Sequence, residues 1–321
     1  MSKAKAAPLV MCVVSLAAGA ALAQYPVKPI RMIVPYPPGG PVDVVARPIA
    51  QKLSEAWGQA AILDARPGGG ANIGTDMVAK AAPDGYTILL TTAQHTINPA
   101  VYPKLPFDAA KDFAPISLLV AGPLLLVTHP SLPVKNMREL IALAQARPGQ
   151  LVYGSAGNGS AFHMAGELFK LMAQVDIVHV PYKGGAPATT DLVGGHVSLV
   201  FNSIVSAIPH VQSGRLRALA TTALTRSALV PDAPTLAESG LPGFEVETWY
   251  GALGPAAMPR DAVDKMSGEI DRILKLPDIR ERIRTQGVEP RGGRPEDFAA
   301  RISADLAKWA RVAKAAGVKV D

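Results

Sequence analysis

Two glycine-rich turns carry the residue types with which a protein can hold an anion without a basic side chain. The first is Tyr36-Pro-Pro-Gly-Gly-Pro-Val-Asp43; the second is Gly154-Ser-Ala-Gly-Asn-Gly-Ser160, followed by His163. Each follows a β-rich run and precedes an amphipathic one. Val42, Val45, Ile49 and Leu53 recur at helical spacing after the first, and Phe162, Ala165, Leu168, Phe169 and Met172 after the second. A helix start leaves its first N–H groups without partners and adds partial positive charge from the dipole, so such a turn attracts a carboxylate or phosphate. In the first turn Pro41 suits the opening helical position, the amides of Gly39 and Gly40 are expected to lie bare, and Asp43 caps or charges the helix start. In the second, Ser160 is the expected cap. The hydroxyls of Ser155 and Ser160, with the amides of Ala156, Gly157 and Gly159, would surround a carboxylate without any formal positive charge. His163 joins the candidates because it stands one turn into that helix.

The same segments lack the marks of several enzyme classes. A nucleophile elbow needs Gly-x-Ser-x-Gly, and Gly154-Ser155-Ala156-Gly157 places the serine one position wrong. Gly68-Gly-Gly-Ala-Asn-Ile-Gly74 neither ends as a phosphate-binding loop does nor keeps the dinucleotide spacing. His95, His129, His163, His179, His196 and His210 never pair at i, i+4, which leaves no helical metal motif, and no cofactor is implied. A serine hydrolase with Ser155 or Ser160 as nucleophile and His163 as base stays as a disfavoured alternative, since no acidic partner for the base is evident. Asn202 closes the run Val197–Phe201, where the carboxyl end of a strand would meet a crevice and the amide could reach the far end of a ligand.

These turns need a scaffold, and the chain supplies one with an alternating rhythm. Candidate strands are Arg31–Val34, Ala61–Asp64, Tyr86–Thr91, Leu124–Thr128, Leu151–Tyr153, Ile177–Val180, Val197–Phe201 and Arg217–Thr221, separated by helical patterns. One of these, Met137–Ala146, opens with a capping pair, Asn136 and Glu139. Such alternation predicts α/β layers built on mainly parallel sheets with helices on both faces. Pro48 is an oddity, because it should bend the first helix or shift its start. Two proline-rich passages, Pro99–Pro133 and Pro231–Pro259, read as crossings between lobes. We therefore expect residues 124–245 to form one lobe and 24–123 plus 246–321 the other, with a ligand cleft between them.

The N-terminus is expected to be removed. Lys3 and Lys5 precede an apolar stretch, Pro8–Leu22, and Ala21-Leu22-Ala23 is a small-x-small site, so residues 1–23 read as a signal peptide cut after Ala23. That stretch is shorter than the roughly 20 residues that span a bilayer. Cys12, the sole cysteine, leaves with it, which excludes disulfides and thiolate chemistry from the mature chain. The net charge of +6 suits anionic small molecules or the outer face of an anionic membrane, while scattered basic residues and few aromatics argue against nucleic acid.

Taken in order, many short stretches resemble the substrate receptors of the tripartite tricarboxylate transporters, the Bug family. They include Tyr25-Pro-Val-Lys-Pro-Ile-Arg31, Val34-Pro-Tyr-Pro-Pro-Gly-Gly-Pro-Val-Asp43, Arg66-Pro-Gly-Gly-Gly-Ala-Asn-Ile-Gly74 and Ala82-Pro-Asp-Gly-Tyr86. Leu105-Pro-Phe-Asp108, Gly154–Ser160 with His163, His179-Val-Pro-Tyr-Lys-Gly184 and Gly214-Arg-Leu-Arg-Ala-Leu-Ala220 extend the resemblance over the whole mature chain. It implies a two-lobed, type II-like periplasmic-binding-protein fold that is not an enzyme. It also implies a carboxylate held by backbone amides, hydroxyls and bridging waters rather than by an arginine clamp. By position it assigns contacts to Pro38, Gly39 and Gly40 and to Ser155, Ala156, Gly157, Ser160 and His163; Tyr36, Asp43 and Thr92 are further candidate ligand residues. Asn202 stands where many relatives carry aspartate, which disfavours an amino acid and favours a di- or tricarboxylate, a hydroxy acid or an aromatic acid. The implied protein is a periplasmic monomer that delivers its ligand to membrane transporter subunits; a ligand sensor that presents it to a signalling kinase is the alternative.

Overall fold

The computed structural model describes residues 25–320; the expected signal segment lies outside them. Ten strands and ten α-helices follow in order among these residues. The first stretch runs β1 (Ile30–Val34), α1 (Pro41–Trp57), β2 (Ala61–Ala65), α2 (Asn72–Ala79), β3 (Thr87–Thr92), α3 (Gln94–Val101) and the long β4 (Phe113–Thr128). Then come α4 (Met137–Ala146), β5 (Val152–Ser155), α5 (Ala161–Ala173), β6 (Val178–Pro181), α6 (Gly185–Val193), β7 (Leu199–Ser203), α7 (Ile204–Gln212) and β8 (Arg217–Thr221). The chain closes with β9 (Glu247–Pro255), α8 (Arg260–Leu274), α9 (Pro277–Arg284), β10 (Glu289–Pro290) and α10 (Pro295–Ala316).

Local signals hold well where caps define them. Asn136 accepts a hydrogen bond from the Glu139 amide at 3.0 Å, and Glu139 takes the Lys135 amide at 2.6 Å, so α4 starts where its capping pair requires. Ser160 caps α5 by accepting from the His163 amide at 3.2 Å. Pro48 departs from expectation: α1 starts at Pro41 and runs on to Trp57 with Pro48 inside it. Pro48 is buried among the apolar residues of that helix face, and that packing offsets the one lost backbone bond.

Two sheets share one strand. β1 pairs in parallel with β2 and β3, and β9 then inserts antiparallel between β3 and the first part of β4. In the second sheet β5, β6 and β7 are mutually parallel, and the last part of β4 runs antiparallel to β7 and β8. The changeover falls between Pro123, paired with Glu247 of β9, and Leu124, paired with Ser203 of β7. On this change of partners we propose the lobe division 24–123 plus 246–321 against 124–245.

The proline-rich passages taken for crossings thus contain the two longest strands. Pro115 and Pro123 escaped the usual penalty because one lies beside a register shift and the other at the switch of sheets, where a ladder N–H is not needed. Buried clusters cover both sheets. One gathers Ile30, Met32, Val45, Ile49, Ile88 and Ile270, another Leu124, Leu126, Tyr153, Phe169 and Phe201. The second of these also contains Trp309, Val312 and Ala313, so the end of α10 packs against the second sheet's residues.

A single threonine ties the two routes between the sheets. The fully buried Thr222 donates its amide to the Leu124 carbonyl at 3.0 Å and accepts the Val246 amide at 2.9 Å. Its hydroxyl accepts the Leu124 amide at 2.7 Å and donates to the Val246 carbonyl at 2.5 Å. Thr222→Val keeps the shape but strands a buried donor and acceptor, so urea denaturation should show a loss of about 2 kcal/mol. Thr222→Ser should retain most of the stability.

Candidate functional site

The turn after β1 and the turn after β5 open on one cavity of about 580 Å³. From the first sheet's side it is lined by Tyr36–Val42, by Thr92 at the end of β3 with Ala93 and Gln94 beyond it, and by Thr248 and Tyr250 of β9. From the second come Ala156, Ser160, Ala161, Phe162 and Gly184. None of these side chains carries a formal charge. Tyr36 and Thr92 join hydroxyls at 2.8 Å. Burial raises the Tyr36 phenol, and burial followed by the neighbouring Tyr36 pushes Tyr250 up to about 12, so both stay neutral donors at ordinary pH.

The first turn holds its shape by its own polar groups. Gly39 adopts the left-handed region, with φ 76°, which a side chain would strain. Its amide donates to Asp43 at 3.1 Å, and the Gly40 amide donates to the Pro37 carbonyl at 3.3 Å. The expectation that both amides lie bare is therefore corrected: Asp43 reaches back and consumes one, and the tight turn consumes the other. Asp43 is buried and bonded to Arg47 at 2.8 and 3.0 Å, off the cavity lining. At this helix start, the N–H groups without a partner among the described residues are those of Val42 and Asp43, the second and third positions of α1.

The second turn repeats the pattern. The Gly157 amide donates to Ser155 Oγ at 3.1 Å, the Gly159 amide to His163 Nδ1 at 3.1 Å, and the His163 amide to Ser160 Oγ at 3.2 Å. Ala156, Ala161 and Phe162 keep N–H groups that meet no partner among the described residues, and all three residues line the cavity. Two helix starts from opposite lobes thus face the same uncharged space. Each is worth about 0.3–1 kcal/mol to an anion at an exposed surface and up to about 2 in a partly buried site.

Of the residues singled out from sequence, Tyr36, Pro38, Gly39, Gly40, Thr92, Ala156 and Ser160 reach the cavity, while Asp43, Ser155, Gly157, His163 and Asn202 do not line it. Ser155 is fully buried, with its Oγ 2.6 Å from His179 Nε2. Its imidazole partner is not the His163 considered for a hydrolase, whose Nδ1 is occupied by the Gly159 amide. Asn202 is fully buried and donates to Thr189 Oγ1 at 2.7 Å, because Thr189 of α6 packs over the end of β7 and shuts it off. Sequence reasoning missed Val42, Gln94, Ala161, Phe162, Gly184, Thr248 and Tyr250. Thr248 and Tyr250 carried a signal, an i, i+2 pair on one strand face, but β9 had been taken for a crossing. No cluster of three or more His, Cys, Asp or Glu able to hold a metal occurs among the described residues.

A two-lobed α/β molecule with such a cavity has the periplasmic-binding-protein fold of solute receptors. The comparisons make the assignment narrower. Residues 45–318 match the tripartite tricarboxylate transporter family receptor. BugT of Bordetella pertussis is 36% identical over 92% of this chain and 91% of its own length. An R. palustris protein solved with adipate superposes with a TM-score of 0.79, 37% identity and coverage of 92% of this chain and 99% of that one. MatC from Rhodopseudomonas palustris, solved with bound malate, gives 0.75, 32%, 90% and 99%. The chain belongs to the tripartite tricarboxylate transporter receptor family, the Bug family.

Burial holds three imidazoles neutral: His95, His163 and His179 are each pushed down to about 4, with desolvation the largest cause in every case. An unfolded histidine titrates near 6.5, so between about 6.5 and 4 the unfolded chain takes up protons that the folded one refuses. Calorimetric melting temperature should therefore fall steadily as pH drops through that window. His95→Gln should flatten part of the slope.

Proposed function

We propose that this chain is a periplasmic receptor that captures a small carboxylate in the cavity between its lobes and delivers it to membrane transporter subunits. The observation that carries this reading is the convergence of the α1 and α5 starts on one uncharged cavity. Unpaired N–H groups in a site shielded from water form charge-assisted hydrogen bonds to a carboxylate and need no arginine. The relatives solved with adipate and malate support the ligand class. Tyr36, Tyr250, Phe162 and the prolines would pack the ligand's carbon body, and Thr92, Gln94, Ser160 and Thr248 supply neutral groups for hydroxyls or a second carboxylate. No lining residue offers an anion to an ammonium group, which selects against amino acids. A ligand touching both lobes favours the closed arrangement, because only that state gives it both helix starts.

The reading extends to the rest of the chain's biology. No helix among the described residues is long and apolar enough to cross a membrane. Residues 1–23 would direct export and be cleaved after Ala23, and the mature protein would act as a monomer without enzymatic activity.

Two experiments test it. Titration calorimetry with adipate, malate, benzoate and glutamate should show binding of at least one of the first three and none of glutamate. Binding of glutamate alone would overturn the assignment. Ala161→Pro places proline at the first position of α5, where the ring is well tolerated, and Ser160 already has the extended backbone a following proline demands. That variant deletes one cavity N–H while preserving the fold. Its melting temperature should hold and its carboxylate affinity should drop about tenfold, the value of one charge-assisted bond. Because nothing in the cavity titrates near neutrality, wild-type affinity should stay flat between about pH 6 and 9.

A further inference from the structure

The turn from Ser155 to Ser160 rests on a stack of rings that never touches the cavity. His163 and His179 lie face to face with centroids 3.8 Å apart and planes 12° from parallel, and Tyr153 stacks on His179 at 4.9 Å. They come from three elements: Tyr153 from β5, His179 from β6 and His163 from α5. Each imidazole takes hold of the turn above it. His163 Nδ1 accepts the Gly159 amide at 3.1 Å, and His179 Nε2 pairs at 2.6 Å with the Ser155 hydroxyl that accepts the Gly157 amide.

We propose that His163 is a positioning residue for the anion site: its neutral Nδ1 draws the Gly159 amide away from the cavity and fixes which amides remain for the ligand. The inference rests on the receptor reading above and deepens it. A turn of this composition has more N–H groups than one carboxylate can use. Sequestering Gly157 and Gly159 leaves Ala156, Ala161 and Phe162 as the donors, so the buried side chains select the donor geometry without meeting the ligand. Protonated His163 has no lone pair at Nδ1, and the Gly159 amide would then face another N–H.

Burial and a nearby ammonium keep the ring neutral against the pull of one carboxylate. On α5 itself Glu167 accepts from Tyr153 at 2.6 Å and from Lys170 at 3.1 Å, and its Oε1 lies 3.8 Å from His163 Nε2. Ala315 and Ala316 of α10 line a small cavity together with Glu167 and Lys170. His179 and Tyr153 are further titratable groups stacked near the ring. Burial lowers the His163 pKa, and the Lys170 ammonium lowers it further.

The test uses 15N-labelled mature protein with no ligand, then adipate, malate and benzoate as probes. His163→Leu keeps the bulk but loses the acceptor, whereas His163→Asn keeps an oxygen near the Nδ1 position. Exchange of the Gly159 amide should accelerate about tenfold in His163→Leu, as expected when a buried hydrogen bond is lost, and stay near wild type in His163→Asn. Affinity for whichever probe binds should fall and recover in the same order. In the unaltered protein, the Gly159 amide resonance should shift in one step well below the ordinary histidine range, and that step should vanish in His163→Asn. This last measurement needs no destabilised variant. Unchanged Gly159 exchange in His163→Leu, or a wild-type resonance without an acid step, overturns the positioning role. Faster Gly159 exchange in a protein that binds none of the probes supports the hydrogen bond and refutes the receptor reading instead.

Discussion

The site depends on backbone N–H groups that the fold declines to satisfy. At the start of α1 the groups of Val42 and Asp43 have no partner among the described residues, and at α5 the same holds for Ala161 and Phe162. A buried unpaired amide is costly, so the arrangement persists only because each helix is held from behind by a packed sheet. Val42, Val45 and Ile49 hold α1 against the first sheet, while Ala165, Leu168 and Phe169 hold α5 against the second. The cavity takes no formal charge from its walls. On the proposed reading its attraction for anions comes from amide groups and dipoles, which do not titrate near neutrality.

The sequence made some of this legible and hid the rest for physical reasons. Caps were readable because they depend on two or three adjacent residues: Asn136 with Glu139 and Ser160 alone each mark a helix start that the structure reproduces. The two turns were also readable as a pair, from glycines placed between a strand and an amphipathic run. Which amide in a turn stays free was not. It depends on long side chains folding back, as Asp43 does onto Gly39 and His163 onto Gly159. Asn202 misled for the opposite reason, since its neighbour Thr189 lies across a helix whose position no local pattern reveals. The strands β4 and β9 were obscured by composition, because proline weighs as a breaker until the partner strand shows where no donor is required.

The link between the lobes is a shared strand rather than a flexible tether. β4 leaves the first sheet at Pro123 and enters the second at Leu124 without a break. The return route is fastened to it through Thr222, and the entry to β9 is fastened to α10. Glu247 binds Arg291 and Arg301 at 3.0 Å each, and Trp249 donates to Asp305 at 2.9 Å. The end of α10 adds a further tie, since Trp309, Val312 and Ala313 share a buried cluster with Leu124, Tyr153 and Phe169.

The placement of β9 has a bearing on how the chain comes into being. Leu89–Thr92 find their antiparallel partners only in Tyr250–Leu253, and Phe113–Pro123 find theirs on the same late strand. A polypeptide made from its amino end therefore reaches most of its length before that first sheet can close. Pairing between such distant stretches is slow, because the intervening loop must be ordered first. Closure of the first sheet is thereby tied to a strand that lies about 130 residues beyond most of its partners, a long-range pairing that makes this the late step of folding.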